Sequence, residues 1–130
     1  MADSLTSTFA GHKYLSLESF RKNGEGVATP VWFAEEGGVF YLISEADAGK
    51  VKRIRNNPRV RVAPCDFRGA LKGGWVEATA RLLPPDEAAH AEALLTAKYG
   101  LIKRLGNFFA KFSKHGRTYI AVQLSEASRG

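Results

Sequence analysis

Several short stretches of the chain alternate between hydrophobic and polar residues, which is the pattern of β-strands whose successive side chains face opposite sides. Two turn-forming stretches, residues 22–26 and 35–38, separate the first three of them and predict hairpins. Pro30 has no backbone N–H, so it suits a bulge or a place where a strand opens. This alternation predicts strands over residues 14–20 and 75–83. Runs rich in apolar and β-forming residues predict further strands over 27–34, 39–43, 60–65 and 119–124.

Other segments have helical patterns. Residues 49–56 place Val51 and Ile54 three positions apart with basic residues around the remaining face, and Asn57-Pro58 supplies a stop. Residues 84–87, two prolines followed by two acidic residues, are a helix start signal and predict a helix over 88–99. Residues 101–112 read as a further basic and apolar helical stretch, broken by Gly106.

This order of elements, with one short helix among antiparallel strands and a helical arm before the last strand, predicts an α+β barrel that is mainly β. A length of 130 residues with 45% hydrophobic residues supports one core, so we expect one domain over 1–130. Residues 1–12 and 125–130 are small and polar and are expected to be flexible tails.

The chain shows neither a membrane segment nor a leader. No stretch approaches the roughly 18 apolar residues of a membrane helix, so we expect a cytoplasmic protein without stable membrane insertion. Cys65 is the only cysteine, which excludes an intramolecular disulfide, a cysteine zinc site and a CxxC pair, and its apolar neighbours predict a buried side chain.

Positive charge is concentrated in one part of the sequence. The formal net charge is +6, and residues 49–61 hold six lysines and arginines with no acidic residue. Such a run favours an anionic partner, and nucleic acid, a phosphorylated cofactor and acidic lipid all remain open on charge alone. The sequence has no RNP-like aromatic strand motif, which argues against nucleic acid.

The start of the helix over 49–56 could form a phosphate cradle. A helix N-terminus presents free N–H groups and a partial positive charge, and Ser44, Gly49 and Lys50 lie just ahead of it or at its first turn. The alternative is a solvated basic face with no ligand, because basic runs on short surface helices are common.

Three segments together resemble a known family: residues 28–33 (ATPVWF), 40–44 (FYLIS) and 49–60 (GKVKRIRNNPRV). Their order and spacing are similar to the pyridoxamine-phosphate oxidase-like superfamily, and more narrowly to its members that use coenzyme F420, a deazaflavin. The resemblance covers residues 14 to 83 clearly. It implies a six-stranded antiparallel split β-barrel of the FMN-binding type, and a homodimer with the active site at the subunit interface.

The resemblance also implies which residues bind the cofactor. Ser44 and Lys50 match the strand end and helix start where relatives hold the cofactor phosphate. Thr29, Pro30 and Val31 match a strand that lies along the edge of the flavin-like ring, while Lys52, Arg53 and Arg55 match positions that hold anionic groups. The classical flavin-phosphate version has Ser-Arg-Lys where residues 47–50 read DAGK. This departure favours coenzyme F420, whose polyglutamate tail carries several carboxylates, over FMN.

The function that follows is an oxidoreductase in which reduced coenzyme F420 donates a hydride to an electron-poor small molecule, such as an activated alkene or a quinone. The cofactor supplies the chemistry, so no catalytic side chain is expected, and His12, His90 and His115 are scattered without a triad or metal pattern. The alternatives are an FMN-binding oxidoreductase of the same barrel and a non-catalytic flavin, deazaflavin or haem-binding protein.

Aromatic residues offer candidates for a substrate pocket. Trp32 and Trp75 are the best placed by residue type, because an indole has a flat apolar face and one donor. The aromatic and basic residues of 103–114 form an amphipathic stretch that we interpret as a lid or a dimer surface, with a membrane-surface element as the alternative.

Overall fold

The computed structural model describes residues 9–46, 48–99 and 116–124 of the 130-residue chain. In chain order the elements are β1 (Tyr14–Phe20), β2 (Gly26–Glu36), β3 (Val39–Glu45), α1 (Gly49–Asn56), β4 (Arg59–Cys65), β5 (Val76–Leu82), α2 (Pro85–Tyr99) and β6 (Arg117–Leu124). The six predicted strands and the helices predicted over 49–56 and 88–99 are confirmed, with ends that differ by three residues at most. The helical stretch predicted over 101–112 lies outside the described residues.

The six strands close into an antiparallel barrel in the order β1-β2-β3-β6-β5-β4. The two-residue period of each strand separates the faces, as β4 illustrates: Val60 and Val62 are buried in the barrel, whereas Arg59 and Arg61 bind Glu77 and Glu18 across the strands. The predicted fold class, an α+β antiparallel barrel, is confirmed.

Strand β2 changes its partner part-way along its length. Residues 26–32 pair with β1, whereas the pairing with β3 runs only from Phe33 to Glu36. Continued pairing of β2 with β3 would place Val31 opposite Ser44, but the ladder stops two residues short of that pair. The first half of β2 therefore pairs on one side only among the described strands, and the barrel is split beside it.

Apolar side chains enter the barrel from both ends. Val51 and Ile54, which lie three residues apart on α1, are buried in the barrel core at the end where β3 finishes. Phe9 contacts the rings of Phe33 and Phe40 toward the end where β3 begins, with ring centroids 6.2 and 4.8 Å away. Helix α1 is thus held by the core, and this fixes which of its faces meets solvent.

The buried position of Phe9 corrects the predicted tail. Only 1% of Phe9 is exposed, so the expectation of a flexible tail over 1–12 was wrong at this residue. The neighbouring backbone is also held, because the Lys98 ammonium donates to the carbonyl oxygens of His12, at 3.1 Å, and Phe33, at 2.8 Å. Phe9 is a large apolar side chain within a mainly small and polar stretch, so the composition of residues 1–12 did not predict its burial.

Helix α2 covers the outside of the barrel, where it packs against β2, β3 and β6. Ala91 and Leu95 of α2 meet Ala34 of β2, Ile43 of β3 and Ala121 of β6 in a second apolar cluster. Neither α1 nor α2, the helices of the described part, is long and apolar enough to cross a membrane.

Candidate functional site

The basic face of α1 lies beside the split in the barrel. Because Val51 and Ile54 are buried, the remaining positions of α1 turn Lys50, Lys52 and Arg53 toward the surface. The helix has no acidic residue in its first turn and no side-chain cap, and Ala48 precedes it in an extended conformation. A lysine in the first turn opposes the positive end of the helix dipole, so this end favours a bound anion.

Ser44 and Lys50 meet at the junction of β3 and α1. The Lys50 ammonium nitrogen lies 3.5 Å from Ser44 Oγ, and Ser44 is buried. Burial lowers the pKa of Lys50, Arg53 lowers it further, and Glu45 partly opposes both effects. The structure therefore brings together two of the residues predicted to hold a phosphate, and it shows that one of them is destabilised in its charged form.

Arg53, one turn after Lys50 on α1, contacts β1. Its Nε donates to Ser19 Oγ over 2.7 Å, and Ser19 is fully buried. A Cβ placed on Gly49 would lie 2.8 Å from Nη1 of Arg53. The guanidinium therefore occupies the space that a side chain at position 49 would need. Burial lowers the pKa of Arg53, and the neighbouring Arg21 lowers it further.

A cleft of about 250 Å³ opens between this face of α1 and the end of β1. Its lining carries four cationic side chains and no carboxylate, although Arg21 also pairs with Glu25 at 2.9 Å. Of the predicted residues, Gly49, Lys52 and Arg53 line this cleft, whereas Arg55 is exposed and does not. The lining comprises Phe20, Arg21, Lys22, Gly49, Lys52, Arg53 and Asn56.

Sequence reasoning missed four of these lining residues: Phe20, Arg21, Lys22 and Asn56. The basic pair Arg21-Lys22 beside a predicted turn was the one visible signal. Nothing in the local sequence shows that this turn meets a helix some thirty residues later, because that contact depends on how the barrel closes.

The predicted ring-edge residues lie on the half of β2 that pairs only with β1. Val31 is buried in the barrel core, and Pro30 is exposed. The Thr29 hydroxyl oxygen is buried without a hydrogen-bond partner among the described residues. Leaving such a group unsatisfied costs about 1–3 kcal/mol, so this position fits a ligand with a complementary polar group.

The two tryptophans predicted for a substrate pocket lie away from α1. Trp32 packs with Tyr14, at 6.2 Å between ring centroids, and against the outer cluster under α2. Trp75 lies under the Arg61 guanidinium, 5.0 Å from the ring centroid. The structure does not bring either indole to the basic cleft.

The remaining histidine and cysteine side chains of the described residues show no sign of a catalytic or metal site. His90 pairs with Glu36 at 2.7 Å, and Cys65 is buried, which raises the pKa of its thiol. In residues 9–46, 48–99 and 116–124, no three His, Cys, Asp or Glu side chains come close enough to hold a metal ion. His115 and the predicted lid over 103–114 lie outside the described residues.

Sequence similarity connects this barrel and its basic helix to known proteins. A model of the family described as pyridoxamine 5'-phosphate oxidase matches residues 1–128. The chain belongs to the pyridoxamine 5'-phosphate oxidase family. The resemblance predicted from three short segments is thereby confirmed, and this oxidase family accounts for the split barrel. A comparison with curated proteins found no match.

The descriptions of three solved structures of similar fold name haem, FAD and F420. The haem storage protein HutZ from Vibrio cholerae is 13% identical with a TM-score of 0.71, and 95% of this chain and 89% of HutZ are covered. A FAD-binding protein from Mesorhizobium loti is 18% identical with a TM-score of 0.62, and the covered shares are 97% and 89%. A structure described as F420 reductase is 21% identical with a TM-score of 0.61, and the covered shares are 92% and 91%. At these identities the likeness shows the fold alone.

Proposed function

We propose that this chain is an oxidoreductase that binds coenzyme F420 with the basic face of α1 and delivers a hydride from it to an electron-poor small molecule. The observation that carries the proposal is the cleft between α1 and the end of β1, which is lined by four cations and no carboxylate. The cations of this cluster repel one another: the pKa of Arg53 is lowered first by burial and then by the charge of Arg21. A ligand with several negative charges relieves that repulsion.

Two groups of residues would hold the two anionic parts of such a cofactor. Lys50 and Ser44, 3.5 Å apart at the β3–α1 junction, would bind a phosphate together with the N–H groups at the start of α1. Lys52 and Arg53, in the cleft, would bind carboxylates of the tail, and Arg55 would add long-range attraction. A cofactor with one anionic group would use only one of these two sites.

The unpaired side of β2 would hold the ring. Thr29 would supply its unsatisfied hydroxyl, while Pro30 and Val31 would present backbone and an apolar surface along the ring edge. The chemistry that reduced coenzyme F420 supplies when bound is hydride transfer to an acceptor such as an activated alkene or a quinone. In this proposal the protein orients the ring and excludes water from one of its faces, and no protein nucleophile takes part.

The same proposal includes a cytoplasmic homodimer. A site at the split would be open along the side of β2 that pairs with no described strand before Phe33, and a second subunit would cover it. One structure of similar fold, with 18% identity and a TM-score of 0.59, is described as a domain-swapped dimer. Trp32 and Trp75 remain predicted substrate contacts, which in this arrangement would serve a pocket formed with the partner.

The test is a fluorescence titration of purified protein with coenzyme F420. Wild-type protein is expected to bind, and Lys50→Ala is expected to weaken binding by about tenfold or more, because a charged hydrogen-bond donor is lost. Lys72→Ala is the matched control, since it removes the same charge from an exposed position in the loop before β5. Equal weakening by both substitutions, or no binding by the wild type, would refute the assignment.

The visible spectrum of the purified protein separates the rival cofactors. An FMN protein of the same barrel would be yellow as purified, and a haem carrier would show a Soret band. Protein that is colourless as isolated and binds coenzyme F420 more tightly than FMN supports the proposal. Tighter binding of FMN or haem would assign the barrel to one of those alternatives instead.

A further inference from the structure

We propose that Ser19 is a positioning residue for anion binding: it fixes the Arg53 guanidinium across Gly49 so that the guanidinium faces the cleft. The inference rests on the proposed function, since it concerns the same basic site. Ser19 lies on β1, thirty-four residues before Arg53 in the chain, and it is no part of the basic segment.

The first supporting observation is the contact itself. The Nε–H group of Arg53 donates to Ser19 Oγ over 2.7 Å, and Ser19 is 0% exposed. Because one nitrogen of the guanidinium is held by a buried hydroxyl, the plane of the group cannot turn freely. The two Nη nitrogens are then left to bind a ligand, and less side-chain entropy is lost when they do.

The second observation is the space that Gly49 leaves. A Cβ at this position would lie 2.8 Å from Arg53 Nη1, which is closer than real Cβ atoms approach such groups. Gly49 therefore lets the guanidinium lie against the first turn of α1. Both Gly49 and Arg53 line the cleft, so the surface they share is the wall that a ligand would touch.

The third observation is electrostatic. No carboxylate among the described residues forms an ion pair with Arg53. Burial lowers the pKa of both Lys50 and Arg53; the charge of Arg53 lowers that of Lys50 further, and the charge of Arg21 lowers that of Arg53 further. Arg53 thus lies between the two cationic groups, and its orientation affects a ligand at either of them.

A double-mutant cycle between Ser19→Ala and Arg53→Ala tests the proposal. Dissociation constants are measured for coenzyme F420 by fluorescence and for inorganic pyrophosphate by calorimetry. Ser19→Ala is expected to weaken binding by roughly three- to tenfold in the presence of Arg53, and to have no further effect in the Arg53→Ala protein. Equal weakening in both backgrounds, or no weakening, would overturn the proposal.

Two more variants separate positioning from stability. Gly49→Ala favours a helix and is expected to leave the melting temperature unchanged or higher, yet to weaken anion binding because its Cβ displaces the guanidinium. Arg53→Lys keeps the charge but replaces the planar guanidinium, whose donors are spread over three nitrogens, by a single ammonium, so it is expected to bind less tightly than wild type. Wild-type affinity in either variant would contradict the proposed role.

Pyrophosphate makes the two proposals separable. If the cycle shows coupling for pyrophosphate while coenzyme F420 does not bind, Ser19 positions Arg53 for another anion and the assignment of the cofactor fails. If coenzyme F420 binds but neither probe shows coupling, the positioning role fails and the proposed function stands.

Discussion

Burial and a neighbouring charge both change the protonation of Lys50, the residue proposed to bind the cofactor phosphate. Its pKa is lowered first by burial and then by Arg53, while Glu45 acts in the opposite direction. An anion bound at Lys50 favours the charged ammonium, so binding raises this pKa again. Binding and protonation are therefore linked: where Lys50 of the free protein is partly neutral, Lys50 takes up a proton when the anion binds.

The affinity for an anionic cofactor is accordingly expected to fall as the pH rises from 7 toward 10.5, the ordinary pKa of a lysine. The fall begins below 10.5 because the pKa of Lys50 in the free protein is lowered, so the neutral amine forms earlier. Fluorescence titrations with coenzyme F420 at several pH values measure it. Lys50→Arg, which stays protonated throughout, should remove most of the fall, and an unchanged pH profile in that variant would contradict the role given to Lys50.

At the scale of elements, α1 does two things at once. Its apolar side, Val51 and Ile54, completes the core at one end of the barrel, and its other side presents the basic residues. An eight-residue helix is too short to be stable alone, so it is the packing of these two side chains that holds it in place. The geometry of the basic cleft depends on that packing.

Ile54→Ala is therefore expected to lower the free energy of unfolding by about 2–4 kcal/mol, through lost burial and the cavity that remains. Urea denaturation followed by circular dichroism measures the change. Arg55→Ala is the matched comparison, because Arg55 is exposed on the same helix and its replacement should change stability by about 0.5 kcal/mol or less. If the two variants were equally stable, α1 would not be held by the core.

The sequence encodes where the strands lie, but not which strands pair. Alternation, together with runs of β-forming residues and turn signals, predicted all six strands, because these signals are local in the sequence. The same alternation says nothing about partners, so the switch of β2 from β1 to β3 at residue 33 could not be predicted from it. The opening beside Thr29 follows from that switch.

For the whole molecule, the attraction of an anion to α1 depends less on the net charge of +6 than on where the negative charges lie. Among the described residues, six glutamates form ion pairs with arginines or a histidine, and none of them lines the basic cleft. These are Glu18, Glu25, Glu36, Glu77, Glu87 and Glu92. The positive field therefore persists at α1, and binding of a polyanion there should weaken as salt is added.

The homodimer is the prediction that belongs to this scale. Analytical ultracentrifugation is expected to give twice the 14.2 kDa mass of the chain at micromolar concentrations. If the site is completed by the partner, dilution that dissociates the dimer should also reduce the affinity for coenzyme F420. A monomer that binds the cofactor with full affinity would refute a site at the subunit interface.

The sequence by itself determined the strands, both described helices, the basic face of α1 and the family, because each of these is encoded by neighbouring residues and their spacing. The tertiary structure alone decided that Ser19 and Arg21 meet Arg53 and that Phe9 enters the core. These contacts join residues distant in the chain, and they exist only because the barrel closes in one particular register. Local periodicity specifies which side of an element is buried, but not which distant residue it will meet.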